Sequence, residues 1–224
     1  MDDYYAAYNR LSGSMVSGII TTFIGGTADF IGRSKTPTVT IGSINEGFHS
    51  VSSNDEQGGI FATRHLISRG CKKIIHISGE MLPQRSSNAR TYAFVKECEQ
   101  SGIQCKLYET SLVDQVENDY AGIVGNVFYE NTDFDGIFAS NDILASMCLS
   151  TALSLGYRVP QDIKIVGYDD IPISAMIYPP LTTIHQNYQK LATLAVETVL
   201  NLINGVDVPK KQQVPVELIV RGTT

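Results

Sequence analysis

GIFASNDILASMCLSTALSLGYRVPQDIKIV, residues 136–166, is the stretch that decides the fold. It opens with a short apolar run, 136–139, of strand length. Ser140 or Asn141 then stands where a side-chain oxygen can cap the exposed amides of a helix. Residues 143–155 are apolar nearly all round, the mark of a deeply packed helix. Gly156 permits the left-handed backbone that ends such a helix without a Cβ clash. Val159-Pro160 forbids its continuation. A second apolar run, 163–166, follows. Strand, helix and strand in this order make a βαβ unit, and hence a parallel sheet.

The same rhythm extends outward. Runs of strand character lie at 17–22, 38–41, 73–77 and 214–220. Amphipathic helical stretches lie at 58–69, with Ile60, Phe61, His65, Leu66 and Ile67 on one face, and at 90–101, with Tyr92, Phe94, Val95 and Cys98. A third covers 188–203. Gly70, Gly102 and Gly205 punctuate their ends. Two segments break the pattern: the polar stretch 42–54, and Tyr178-Pro179-Pro180-Leu181-Thr182-Thr183. Both read as connections where the chain changes lobe. In an open parallel sheet, ligands bind at the carboxyl ends of the strands, so polar residues just after strands are the place to look.

Composition bounds the function. The 224 residues are 43% hydrophobic and 18% charged, as in a soluble globular protein with a real core. The net charge of -6 argues against direct contact of this chain with a nucleic-acid backbone. Cys71, Cys98, Cys105 and Cys148 form no Cys-x-x-Cys pair and no zinc spacing with histidine, so no metal is expected. They read as reduced, mostly buried thiols. No signal sequence and no membrane-spanning run is seen, which makes the cytoplasm the expected location. Phosphate loops, dinucleotide fingerprints, metalloprotease helices and nucleophile elbows are all absent. His49, His65, His76 and His185 are scattered and read as surface or satisfied core residues. No catalytic residue and no cofactor is expected.

Four segments place polar groups at strand ends or helix starts: 86–90, 138–142, 166–170 and 182–188. Arg90 offers a rigid fork of donors, Asp169 accepts from neighbouring hydroxyls, and Asn141 does both, a set that suits a polyol. Tyr188 can stack on the apolar face of a sugar ring. Taken singly, Asn141 reads first as a helix cap, while Asp169-Asp170 reads equally as a turn and Arg90 as a surface ion pair. Their common location favours a ligand site.

These segments carry a resemblance. Residues 138–145 (FASNDILA), 156–172 (GYRVPQDIKIVGYDDIP) and 180–184 (PLTTI) resemble the effector-binding core of the lactose/galactose repressor family. So do 15–20, 62–74 and 220–224, so that the resemblance covers essentially the whole chain. It implies a two-lobed, periplasmic-binding-protein-like α/β fold. Residues 1–52 and 186–215 would form the N-terminal lobe, and 53–185 and 216–224 the C-terminal lobe. It implies an effector, a sugar, bound between the lobes by Arg90, Asn141, Asp169, Tyr188, Gln186, Ser53, Asn54 and Ser86. It implies a homodimer that reaches a DNA operator only through an N-terminal helix-turn-helix head. That head, the hinge helix and a strand–helix–strand unit are missing from this chain, so the first lobe is expected to be incomplete. Residues 4–14 would match the helix before the third strand. The rival reading is a periplasmic-type sugar receptor of a transporter.

Overall fold

The computed structural model describes residues 10, 15–22, 36–43, 49–117 and 119–224. The helix expected over 4–14 lies outside the described residues, apart from Arg10. The described chain falls into two compact units. The first holds the residues through Asn54, Leu82–Ser86 and Asn187–Pro215, and the second holds Asp55–Met81, Ser87–Gln186 and Val216–Thr224.

In the first unit, β1 (Ile19–Thr21), β2 (Thr38–Ile41), β3 (His49–Ser53) and β9 (Lys211–Val214) form a sheet in that order. Every pairing in it is parallel. Helix α7 (Tyr188–Ile203) packs on it through Leu191, Ala195 and Val199, against Val39, Val51 and Val214. Its close approach requires Gly18, where a Cβ would come within 2.7 Å of Val199 Cγ2.

In the second unit, six strands run in the order β10-β8-β7-β6-β4-β5. They are β4 (Lys73–Ser78), β5 (Gln104–Glu109), β6 (Gly136–Ala139), β7 (Lys164–Asp169), β8 (Thr182–Gln186) and β10 (Val216–Ile219). Only β10 pairs antiparallel, on β8. Helices α1 (Asp55–Ser68) and α2 (Asn88–Ser101) bury Ala62, Leu66, Phe94 and Cys98 with Phe138 and Val166. A second core joins α4 (Ala121–Glu130) and α5 (Asp142–Ser154) through Val124, Val127, Leu144, Ala145, Cys148 and Leu149 with Ile137 and Ile165. Two further short helices are α3 (Leu112–Glu117) and α6 (Ile173–Met176). Gly70, Gly102, Gly156 and Gly205 all adopt positive φ, as the expected left-handed helix ends require.

Three expectations need correction. The polar stretch 42–54 is not only a connection: it contains β3, whose Ser50, Ser52 and Ser53 are buried in a central strand. Backbone pairing on both sides outweighs the weak strand propensity of serine. The Pro-rich segment likewise ends in a strand, since Thr182 and Thr183 open β8. The apolar run 214–220 is two strands in two sheets, because Pro215 has no N–H to continue one ladder.

Candidate functional site

The parallel strands β4, β6, β7 and β8 end at one edge of the second unit, and there the polar side chains gather. At the end of β6, Asn141 caps α5: its Oδ1 accepts from Leu144 N at 2.8 Å. Its Nδ2 donates to the Tyr120 hydroxyl at 3.0 Å. Both readings of Asn141 therefore remain physically compatible, because the cap uses one Oδ1 lone pair and Tyr120 takes one N–H of Nδ2.

At the end of β7 the backbone turns through Asp169 at φ 111° and Asp170 at φ 57°. Residues with a Cβ rarely adopt this region, so the turn must be held from outside. Asp170 accepts from Arg221 Nη2 at 2.6 Å, Ser174 Oγ at 3.1 Å and pairs with His185 Nδ1 at 3.0 Å. Asp142 accepts from Ile171 N at 2.9 Å. Gln186 Nε2 donates to Asp169 Oδ1 at 2.6 Å.

Arg90, on the first turn of α2, is not the surface ion pair that a lone arginine suggests. Its side chain is 11% exposed, and Nε donates to Asp55 Oδ1 at 2.6 Å, Asp55 itself being 4% exposed. Nη1 donates to the Ser140 carbonyl at 2.9 Å. The guanidinium carbon lies 3.3 Å from the centroid of the Tyr168 ring, and the Tyr168 hydroxyl donates to Asp55 at 3.3 Å. Gly58 makes room for this stack: a Cβ there would sit 2.4 Å from the Tyr168 oxygen. Burial acts to lower the pKa of Arg90, but the charge of Asp55, with Tyr168 and Asp169, outweighs it and holds the group above the ordinary arginine range. Burial likewise raises the Tyr168 phenol. Arg90 is thus a fixed cation in the neutral shade of Asp55.

Arg90, Asn141, Asp169 and Gln186 are therefore gathered at one edge of the second unit. The other four expected residues belong to the first. Ser53 ends β3, and Asn54 N donates to Val214 O at 2.8 Å. Ser86 N donates to Gly42 O at 3.2 Å, beside an antiparallel bridge between Ser43 and Arg85. These three lie at the carboxyl ends of β2 and β3. Tyr188 opens α7 and is half-exposed. Sequence reasoning missed Asp55 and Tyr120. Asp142, Tyr168 and Arg221 stood inside the motifs that carry the resemblance, without a role.

No group of three metal-capable side chains occurs among the described residues. His76 is a satisfied core residue: its ring bonds Phe138 O at 2.8 Å and Thr91 Oγ1 at 3.0 Å, and burial pushes its pKa down to about 4. Burial pushes the Cys71, Cys98 and Cys148 thiols up to about 12, far from nucleophiles. No helix among the described residues is long and apolar enough to cross a membrane.

A parallel α/β sheet with these strand-end side chains defines a class, and comparison with known proteins supplies it. Residues 63–224 match the periplasmic binding protein-like domain, and the chain belongs to that family. It is 30% identical over 185 residues to the ribose operon repressor of Halalkalibacterium halodurans, across 81% of this chain and 54% of that protein. It is 30% identical over 184 residues to the HTH-type transcriptional repressor PurR of Mannheimia succiniciproducens, across 80% of this chain and 54% of that protein. A crystal structure of a periplasmic binding protein/LacI transcriptional regulator from Alkaliphilus metalliredigens, complexed with D-xylulofuranose, matches with a TM-score of 0.83. It is 28% identical, across 100% of this chain and 83% of that one. The α/β periplasmic-binding-protein-like fold and the likeness to lactose/galactose-type repressors both hold. The chain spans about half the length of the curated relatives it matches.

Proposed function

We propose that this chain is the effector-binding and dimerising region of a bacterial transcriptional repressor, and that its effector is a sugar. The observation that carries the reading is the strand-end group of the second unit. Arg90 is pinned by Asp55, Ser140 and Tyr168, yet the bonds it makes use Nε and Nη1 and leave Nη2 as a donor. Asp169 stands on a strained turn, oriented by Gln186. A pre-paid orientation of this kind lowers the entropic cost of binding. The charge balance favours a neutral polyol over a sugar phosphate, because Asp55 already neutralises Arg90 and Asp169 adds negative charge.

Asn141, Ser53, Asn54, Ser86 and Tyr188 complete the proposed ligand set. The relatives lend weight, one named for the ribose operon and one solved with D-xylulofuranose. In the whole protein the effector shifts the affinity of a separate DNA-binding head, by binding one conformation better than another. No turnover is expected, and the cytoplasm is the place where such a repressor acts.

A purine effector is the second reading, favoured by the PurR relative. Purine pockets need free aromatic faces. Tyr168 is fully buried and has Arg90 stacked on its ring, which leaves Tyr188 as the aromatic of the expected set. The test is the melting temperature of the chain against a panel of sugars and nucleobases. Ligand at a hundred times its dissociation constant adds roughly 2.7 kcal/mol. A sugar is expected to raise the melting temperature, and Asp169→Ala to remove the rise with the fold intact. A rise with a purine and none with any sugar overturns the sugar reading.

A further inference from the structure

Asp142 is fully buried on the first turn of α5, and the proposed effector set makes no use of it. It is not the cap of its helix, since Asn141 fills that role. Its carboxyl group reaches sideways instead. Oδ2 accepts from Ile171 N at 2.9 Å, and Oδ1 meets the Thr183 hydroxyl at 2.5 Å. The backbone of β7 closes the remaining side, for a Cβ on Gly167 would lie 2.4 Å from Asp142 Oδ1. Ile171 directly follows Asp169 and Asp170, both in the left-handed region. Such a backbone persists only where its surroundings over-determine it. Gln186 holds the turn at Asp169, and Arg221, Ser174 and His185 hold it at Asp170. Asp142 holds its far end.

We propose that Asp142 is a positioning residue of the effector site, whose buried carboxyl group, bridging Ile171 N and Thr183, locks the Asp169–Asp170 turn in the geometry that presents Asp169. Below about pH 7 it does so as the neutral acid. The partners of Asp142 are a backbone amide and a hydroxyl, neither charged. Thr183 can accept as well as donate, so a proton on Oδ1 keeps both contacts. Burial, with Asp169 and Asp170 adding to it, pushes the carboxyl up to about 7 against the pull of its two hydrogen bonds. The titratable and charged groups facing it are Asp169 and Asp170 on the β7 turn, with His185 and Arg221 bonded to Asp170. Strand β6 and helix α6 bring no titratable side chain, and the Tyr120 hydroxyl of the α4 side is engaged by Asn141. The link to ligand affinity rests on the sugar reading above; the lock on the turn does not.

The test uses the 224-residue chain with Asp142→Asn, Asp142→Ala and Thr183→Val. Amide exchange at Ile171, followed by NMR without ligand, reads the lock. Affinity for D-ribose, and for whichever panel sugar stabilises the wild type, reads its consequence. Asparagine can accept from Ile171 and donate to Thr183, so Asp142→Asn is expected to keep both protection and affinity. Asp142→Ala is expected to speed Ile171 exchange and weaken the sugar about tenfold or more, the loss of a hydrogen-bonded anchor. Because the folded carboxyl binds its proton more tightly than the unfolded one, its stabilisation is complete below about pH 4 and is lost as pH rises through about 7. The wild type should therefore lose melting temperature relative to Asp142→Asn between pH 5.5 and 8. Unchanged Ile171 exchange in Asp142→Ala overturns the lock, and failure of Asp142→Asn alongside it overturns the neutral form. If Asp142→Ala does not fold, Thr183→Val must loosen Ile171 or the proposal is wrong. If Ile171 behaves as expected while no sugar binds the wild type, the effector reading fails and the lock stands.

Discussion

Asp55→Ala should be among the most damaging single changes in the second unit, and the structure says by how much. Asp55 and Arg90 are 4% and 11% exposed, so neither charge has water to fall back on. Removing one partner of a buried pair typically costs about 3–5 kcal/mol, because the other charge is left uncompensated. Arg90 would keep the Ser140 carbonyl at 2.9 Å and its place on the Tyr168 ring, which puts the cost near the lower end, about 3 kcal/mol. Tyr168 would also lose the acceptor of its hydroxyl. For a domain of this size each kcal/mol moves the melting temperature by roughly 2–4 °C, so the shift should be about 6–12 °C. Calorimetry suits the measurement, since two units can melt separately. The diagnostic step is the double variant Asp55→Ala with Arg90→Met. If the cost comes from a stranded guanidinium, removing it should recover at least half the loss. A drop of less than about 2 °C for Asp55→Ala, or a double variant as unstable as the sum of the singles, would refute the reasoning.

Gly58→Ala should destabilise by about 1–3 kcal/mol, because its Cβ would meet Tyr168 Oη at 2.4 Å and Cε2 at 2.7 Å, and it should weaken sugar binding by disturbing the ring under Arg90. Gly122→Ala, which meets nothing within 4 Å, is the control and should be neutral or slightly stabilising in urea unfolding. His76, held neutral with its pKa down at about 4, stabilises fully above about pH 6.5 and loses that contribution as pH falls toward 4. Compared with His76→Gln, the wild type should therefore lose about 2.5 kcal/mol between pH 7 and 4.5, and parallel stability curves would show that His76 is not buried neutral.

Much of the fold was legible because it depends on period and punctuation. Strands β2 and β6 and helix α7 fall at the expected bounds, and the glycines that end helices do so in the left-handed conformation. What escaped was structure supported by long-range pairing rather than by local preference. Strand β3 is polar yet central, because β2 and β9 satisfy its backbone on either side. Strand β5 is a largely exposed edge, and the alternation of Cys105 and Leu107 with Gln104 and Lys106 is too short to betray it. The site divides along the same line. Asn141 and Asp169 sit in stretches whose strand–turn–helix pattern can be read locally. Asp55 and Arg90 are 35 residues apart, and Asp142 and Thr183 are 41 apart, so only folding reveals their pairing.

Four aspartates at the same end of one sheet have four different characters, and their partners alone distinguish them. Asp55 meets the guanidinium of Arg90. Asp170 meets Arg221 and His185, whose hydrogen bonds help hold its pKa below the usual range against its partial burial. Asp142 meets an amide and a hydroxyl deep in the unit, and burial drives it toward the neutral acid. Asp169 meets the uncharged amide of Gln186 and stands on the turn that the other two hold in place. Repulsion between Asp142 and Asp169 is relieved most cheaply by a proton on the more deeply buried of the two. A sequence that spells Tyr-Asp-Asp after a strand does not say how each acid is held; the donors brought from β8, α6 and the closing segment do.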